Sequence, residues 1–133
     1  MKTFVNLPVQ DLARTTEFFT KIGFSFNKQF TDENATCMII SADAYAMLLV
    51  EPFFTGFTQQ DITDTSKNRE VIVGLSTESR QQVDDLTDKA LAAGAQALGE
   101  PEDQDFMYMR GFRDLDGHQW SFLYMDMSAI PDQ

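Results

Sequence analysis

The 133-residue chain contains one cysteine and one histidine, and this scarcity excludes several kinds of site. A single cysteine, Cys37, rules out an intrachain disulfide and a cysteine-based zinc site. Cys37 lies in the apolar run CMII at residues 37–40, where a thiol is typical of a small buried hydrophobe. A catalytic thiol would need a partly exposed, electropositive setting, with His118 as its imidazole partner. We therefore expect Cys37 to be a core residue.

Basic residues are also scarce: 10 stand against 21 acidic residues, and the formal net charge is −11. Such a chain repels phosphate backbones and anionic lipid surfaces, so we expect neither a nucleic acid nor a membrane partner. The acidity is typical of a well-solvated surface and does not by itself indicate a cationic ligand. No apolar run approaches the ~20 residues of a membrane span, and the N-terminus lacks the apolar core of a signal peptide. These features predict a cytoplasmic protein.

Apolar residues are plentiful: they make up 43% of the chain, with 12 phenylalanines. This composition excludes a disordered or fibrous chain and predicts a single domain over residues 1–133. In the first half, the patterns predict a strand over 4–9 and a helix from the N-cap Asp11 to Ile22, ended by Gly23. Strands follow at 24–30, 34–41 and 45–50.

The second half repeats this order. A strand is predicted over 70–76, then a helix with a capping box at Ser79 and Gln82 that ends at Gly94. Further strands are predicted over 95–98, 107–113 and 118–125, the last two joined by the turn DLDG at 114–117. We interpret the chain as α+β, with two tandem βαβββ modules at about 1–51 and 68–126. Their strands would form an open, curved, cleft-lining sheet with the helices on its convex side.

Between the two modules, residues 52–67 read as an irregular linker with aromatic side chains. Phe53, Phe54 and Phe57 suggest that this segment lies against the body of the protein. They form either an apolar patch for a homodimer or a cover for one end of the cleft. Both alternatives remain open from the sequence.

Two segments resemble the vicinal oxygen chelate superfamily, which includes glyoxalase I, bleomycin resistance proteins and extradiol dioxygenases. FVNLPVQDL at 4–12 is similar to the opening of its first module. FRDLDGHQW at 112–120 is similar to the turn before its last strand, with Leu115 in place of the usual proline. FTDE at 30–33, CMIIS at 37–41 and FMY at 106–108 resemble a bacterial subgroup labelled predicted lactoylglutathione lyases. The resemblance implies the two-module fold and, in many relatives, a homodimer; fold alone does not imply an activity.

Enzymes of this superfamily hold a divalent metal with His and Glu ligands from the first and last strands of both modules. By this resemblance, the four positions fall on Phe4, Leu48 or Leu49, Ile72 (or Glu70 with a two-residue slip) and Ser121. Phenylalanine, leucine and isoleucine have no lone pair for a metal. We therefore expect no metal and no cofactor, and glyoxalase I or dioxygenase chemistry through a metal is excluded on the number of donors.

Without these donors the cleft becomes largely apolar, which suits a small apolar or aromatic molecule. Tyr108 and Arg110 would add a hydroxyl and a cation, although Arg110 could instead pair with surface carboxylates. The residues predicted to line the cleft are Phe4, Asn6, Met47, Leu49, Ile72, Tyr108, Arg110, Gln119 and Ser121.

Three side chains are candidates for metal-free acid–base chemistry: Glu70, Tyr108 and His118. The favoured interpretation of His118 is a turn residue bonded to Asp114 or Asp116. The leading hypothesis is a metal-free protein that binds a small molecule in its cleft. The alternative is a glyoxalase-like lyase or isomerase that acts on a 2-oxo or glutathione-linked substrate.

Overall fold

The structure, a computed structural model, describes residues 1–129 and divides into two compact units. The first unit is Met1–Asp64 and the second begins at Thr65. Each unit contains a four-stranded mixed sheet and a helix that packs against that sheet. The predicted α+β class with two βαβββ modules is confirmed.

The first unit begins with a strand and a helix and then completes its sheet. The strand order is β1-β4-β3-β2, with β1 parallel to β4 and the other pairs antiparallel. The elements are β1 (Thr3–Val9), α1 (Leu12–Ile22), β2 (Ser25–Asn27), β3 (Ala35–Ile39), β4 (Ala44–Val50) and α2 (Glu51–Thr58), with a short 3-10 turn at Lys28–Phe30.

The ends of α1 follow from its sequence. The Asp11 side chain accepts a hydrogen bond from the backbone N–H of Arg14 at 3.0 Å, as an N-cap does. Gly23 follows the helix with φ 123°, a conformation that favours glycine. Phe18, Phe19 and Ile22 are buried, so one stripe of α1 covers the sheet.

Two segments of the first unit differ from the sequence expectation. The strand predicted over 24–30 stops at Asn27, because the Asn27 side chain accepts from the backbone N–H of Gln29 at 3.0 Å and starts the 3-10 turn. The segment predicted to be irregular begins with α2. Pro52 lies in the first turn of α2, where a missing N–H costs nothing, and Gly56 is tolerated further on.

The second unit has the same topology. The strand order is β5-β8-β7-β6, with β5 parallel to β8. The elements are β5 (Ile72–Ser76), α3 (Arg80–Ala92), β6 (Gln96–Gln104), β7 (Met107–Arg113) and β8 (Gln119–Met125), followed by a 3-10 turn at Met127–Ala129. Strand β6 is therefore longer than the predicted 95–98.

Helix α3 has the predicted capping residues. Ser79 accepts from the backbone N–H of Gln82 at 3.0 Å, and the Gln82 side chain accepts from the N–H of Glu78 at 2.7 Å. The helix contacts β7 and β8. Its buried residues, Val83, Thr87 and Ala90, form the core with Phe112, Trp120 and Phe122 from these strands. Among residues 1–129, no helix combines the length and the apolar character needed to cross a membrane.

The β7–β8 turn depends on a glycine. Gly117 has φ 81°, and a Cβ built there would overlap the Thr65 hydroxyl. We expect Gly117→Ala to lower the free energy of unfolding by about 2–4 kcal/mol, from the left-handed backbone and the steric overlap together. Urea denaturation checks this value.

Gly56→Ala is the matched control for Gly117→Ala. A Cβ at Gly56 meets no atom within 4 Å, and alanine is favoured over glycine inside a helix by about 0.5–1 kcal/mol. We expect unchanged or slightly increased stability. Equal stability of the two variants would contradict the role assigned to Gly117.

Candidate functional site

A shallow hollow lies on the face of the second sheet opposite α3. The strand register places Leu98, Gly111, Ser121 and Gly74 side by side in one row across β6, β7, β8 and β5. Two glycines thus flank Ser121, and neither has a side chain to cover the sheet there. Gly111 lines the hollow, and the side chain that it lacks leaves room on this face of the sheet.

The hollow has a volume of about 180 Å³. A dry cavity of roughly 150 Å³ holds benzene, whereas sites for drug-sized ligands occupy about 300–1,000 Å³. The hollow therefore fits one ring or a group of similar size. Its lining residues are Ile72, Leu98, Glu100, Glu102, Met109, Gly111, Gln119 and Ser121.

Ser121 is the polar centre of the hollow. The residue is only 6% exposed, and its hydroxyl forms no hydrogen bond with any of the residues that the structure describes. The oxygen of this hydroxyl is not fully enclosed by the described residues and opens to the hollow. A Cβ at Gly74 would lie 3.3 Å from Ser121 Oγ, so the glycine keeps space open beside this hydroxyl. Ser121 is thus placed to bond a guest molecule.

Tyr108 and Arg110 do not line the hollow; their side chains bond to α3. The Tyr108 hydroxyl donates to Asp84 Oδ1 at 2.7 Å, and this hydrogen bond raises the pKa of Tyr108. Arg110 Nη1 lies 3.1 Å from Asp84 Oδ1 and 3.0 Å from Asp88 Oδ1. The pairing of Arg110 with carboxylates, left open by the sequence, is what the structure shows.

Glu70 and His118 contact each other just before the first residue of β8. His118 Nδ1 lies 2.9 Å from Glu70 Oε1, and the His118 backbone N–H donates to Asp114 Oδ1 at 3.0 Å. Asp114 Oδ2 accepts from Trp120 Nε1 at 2.9 Å, and burial raises the pKa of the Asp114 carboxyl. His118 is only 2% exposed. It is a turn residue bonded to Asp114, one of the two roles that the sequence allowed.

The predicted residues of the first unit share one face of its sheet. Side chains alternate along strands, and the register pairs Phe4 with Tyr45, Asn6 with Met47 and Pro8 with Leu49. Phe4 stacks on Tyr45 with ring centroids 5.0 Å apart and is 52% exposed, whereas Leu49 is buried. Leu49, rather than Leu48, therefore lies on the same face as Phe4.

The four positions that the resemblance assigns to metal ligands do not fit a divalent ion. Phe4, Leu49 and Ile72 have no donor atoms, and Ser121 offers a neutral hydroxyl, which is a poor ligand. Within residues 1–129, no group of three or more His, Cys, Asp or Glu side chains is arranged to hold a metal. The donor chemistry at these positions therefore differs from that of the metal enzymes with this fold.

Sequence reasoning found Ile72, Gln119 and Ser121 but missed the β6 and β7 side of the hollow. Leu98, Met109, Gly111 and the two glutamates line that side. Gly111, inside a strand of large side chains, was the available signal, because such a glycine often marks a close approach by another molecule.

The position of Tyr108 and Arg110 leads to a stability prediction. Asp84→Ala removes the acceptor of Tyr108 and one acceptor of Arg110, so we expect the free energy of unfolding to fall by about 1–2 kcal/mol. Ligand binding in the hollow should be unchanged, because these groups lie on the α3 face. Asp85→Ala is the control: Asp85 is exposed and accepts from Gln81, an exposed pair worth at most about 0.5 kcal/mol. Weakened binding with unchanged stability in Asp84→Ala would contradict this assignment.

Comparison with known proteins places this geometry in a family context. Residues 2–41 match the family model described as bleomycin resistance protein-like N-terminal. None of the curated protein sequences matches the chain. Among solved structures, hypothetical protein SA1046 from S. aureus is 28% identical with a TM-score of 0.79, and the match covers 93% of each chain.

Two further structures show the range of proteins with this fold. A glyoxalase/bleomycin resistance protein/dioxygenase family enzyme from Burkholderia phytofirmans PsJN is 13% identical with a TM-score of 0.78, over 92% of this chain and 96% of that one. The fosfomycin resistance protein FosX from Listeria monocytogenes, complexed with Mn(II) and sulfate ion, is 17% identical with a TM-score of 0.69. The match covers 96% of this chain and 92% of that chain. The predicted resemblance to the vicinal oxygen chelate superfamily is thus confirmed at the level of the fold, and residues 2–41 match the bleomycin resistance protein-like N-terminal model.

Proposed function

We propose that the protein binds a small apolar or aromatic molecule in the hollow around Ser121, without the metal ligands of the enzymes with this fold. The observation that carries the proposal is the buried Ser121 hydroxyl, which has no partner among residues 1–129 and lies between two glycines. A ring placed over Gly111 would contact apolar atoms of Leu98 and Met109 while its polar substituent reaches Ser121.

The size of the hollow bounds the expected affinity. A ring with one substituent has about eight non-hydrogen atoms, and at roughly 0.5 kcal/mol per atom, between the values for drug-sized and for very small ligands, these contribute about 4 kcal/mol. A fragment of this kind should bind with a Kd on the order of millimolar. A larger natural ligand would extend beyond the hollow. The half-exposed Ile72, at 56%, would offer further apolar surface to it.

The family match supports a binding role. The model that matches residues 2–41 is named for bleomycin resistance proteins, and the neighbours from Burkholderia phytofirmans and Listeria monocytogenes both carry the resistance label in their names. We propose by this likeness that the protein sequesters or senses its ligand. The single domain over 1–133, the cytoplasmic location and the homodimer stay predictions. Light scattering at two concentrations tests the homodimer, with exposed Phe53 and Phe57 on α2 as its first candidate surface.

A second candidate function is a glyoxalase-like lyase or isomerase that uses acid–base side chains. The contact between His118 Nδ1 and Glu70 Oε1 favours it, because a carboxylate that orients an imidazole is a common general-base arrangement. Turnover of the methylglyoxal–glutathione adduct by chelator-treated protein, lost in Glu70→Gln, would support it. No turnover with a panel of 2-oxo substrates would exclude it.

The binding proposal predicts that a single methyl group blocks the site. A Cβ at Gly111 would lie 3.4 Å from the Trp120 carbonyl oxygen and 3.8 Å from Leu98 Cδ1, so Gly111→Ala fits the fold but fills the floor of the hollow. We expect it to weaken binding of benzyl alcohol about tenfold or more. Chemical-shift titration of the ¹⁵N-labelled protein measures the Kd from the amide signals of Gly74, Gly111 and Ser121.

The control for this experiment is Gly56→Ala, which adds the same methyl group in α2 and should leave the Kd unchanged. Ser121→Ala should weaken benzyl alcohol, which has a hydroxyl, more than toluene, which has none. If no small aromatic compound shifts the Gly74, Gly111 and Ser121 signals of the parent protein at millimolar concentration, the proposal is wrong.

A further inference from the structure

We infer that the ligand of the Ser121 hollow carries a positively charged nitrogen group, an ammonium or amidinium, beside its apolar ring. The Glu100 and Glu102 carboxylates would be its counter-charges. This inference rests on the proposed binding function and specifies the chemical class of the ligand.

Strand β6 contributes two glutamates to the hollow and contains an irregularity. Leu98 pairs with Gly111 and Glu102 pairs with Met109, so β6 uses four residues where β7 uses two. The extra residues form a bulge, and Gly99 accommodates it with φ 53°. Both Glu100 and Glu102 line the hollow together with Leu98. Residues two apart along a strand share one face, which agrees with this placement of Leu98, Glu100 and Glu102.

The charges of Glu100 and Glu102 are not neutralised by the protein. Neither carboxylate forms an ion pair or a side-chain hydrogen bond with any residue from 1 to 129. The adjacent Asp103, in contrast, lies 2.6 Å from Arg80 Nη1, and Arg110 is held by the carboxylates of α3. The net charge of −11 adds to the negative potential. A cationic guest would therefore meet two uncompensated carboxylates.

The buried Ser121 is an independent observation that a guest belongs in this hollow. The residue is 6% exposed, and its hydroxyl has no partner in the described chain. Such a hydroxyl can accept an N–H bond. The Gln119 side chain also lines the hollow and offers a carbonyl oxygen. An ammonium or amidinium group is a donor without an acceptor, so it matches two carboxylates, a hydroxyl and an amide oxygen.

Arg113 raises the alternative that the ligand carries a carboxylate instead of a cation. Arg113 pairs with Gln119 across β7 and β8, and its Nε is buried without a hydrogen-bond partner. Arg113 does not line the hollow, however, whereas two glutamates do. An anion held by Arg113 would be placed near these uncompensated negative charges. The balance of lining charges favours the cation, and an anionic probe tests the alternative.

The experiment compares three ring compounds that differ in charge: benzylamine, which is an ammonium ion at neutral pH, benzyl alcohol and benzoate. Chemical-shift titrations of the ¹⁵N-labelled chain at low salt give a Kd for each from Gly74, Gly111 and Ser121. An exposed ion pair contributes about two- to fivefold in affinity. We expect benzylamine to bind about fivefold more tightly than benzyl alcohol, and benzoate to bind least.

The double variant Glu100→Gln with Glu102→Gln should abolish the preference for benzylamine while the Kd of benzyl alcohol stays within twofold. Glu33→Gln with Asp61→Asn is the matched control. Both residues are exposed in the first unit, neither lines the hollow, and their change alters the net charge equally. This control should keep the preference.

Two results overturn the inference and leave the proposed function intact. The first is an equal Kd for benzylamine and benzyl alcohol, or a preference that survives in the double variant. The second is tightest binding of benzoate that is lost in Arg113→Gln. If none of the three compounds binds at these residues, the proposed function itself fails, and the inference with it.

Discussion

One buried carboxylate holds the β7–β8 hairpin on which the candidate site depends. Asp114 accepts from the backbone N–H groups of Asp116 and His118 and from Trp120 Nε1, at 2.9–3.0 Å. These bonds close the turn and direct Trp120 into the core. Burial raises the pKa of the Asp114 carboxyl because its charge is removed from water, and the three donors oppose this effect. The hairpin register then follows, with Gly111 opposite Ser121.

The register matters because a shift of one residue would turn every side chain of β8 to the other face. Trp120 and Phe122 would leave the core, and Ser121 would leave the hollow. The α3 face is fixed a second time by Asp84 and Asp88, which hold Arg110. One face of the sheet therefore packs against α3. The opposite face carries the row in which two glycines flank Ser121. Core packing and the candidate site are consequences of the same alternation.

The helices and the turns were predictable because single residues specify them. Asp11 and Ser79 cap helix N-termini through their side chains, and Gly23 ends a helix through its backbone conformation. The local sequence was therefore sufficient to predict these helix ends. Parity along β5 and β8 correctly put Ile72, Gln119 and Ser121 on one face. The α2 helix was missed because Pro52 and Gly56 resemble helix breakers, although proline is tolerated in a first turn.

The far wall of the hollow was beyond single-strand reasoning. Residues 96–104 are mostly polar and contain Gly99 and Pro101, so they show little alternation, and their pairing with β7 is broken by the bulge. The pairing of β6 with β7 shows that Glu100 and Glu102 lie beside Gly111. The hydrogen bonds of Tyr108 and Arg110 to Asp84 show that these two side chains face α3. Such contacts between elements are not contained in the sequence pattern of one strand.

The change of chemistry at the family metal positions is compatible with an unchanged fold because these positions carry little of the core. Phe4 and Ile72 are more than half exposed, so their apolar side chains contribute less to stability than buried Leu49. Replacing a metal ligand at such a position alters what the sheet face attracts and leaves the helix face intact. Ser121 is the exception, since it is buried, polar and without a partner in the described chain. Its hydroxyl opens to the hollow, and this is the feature on which the binding proposal depends.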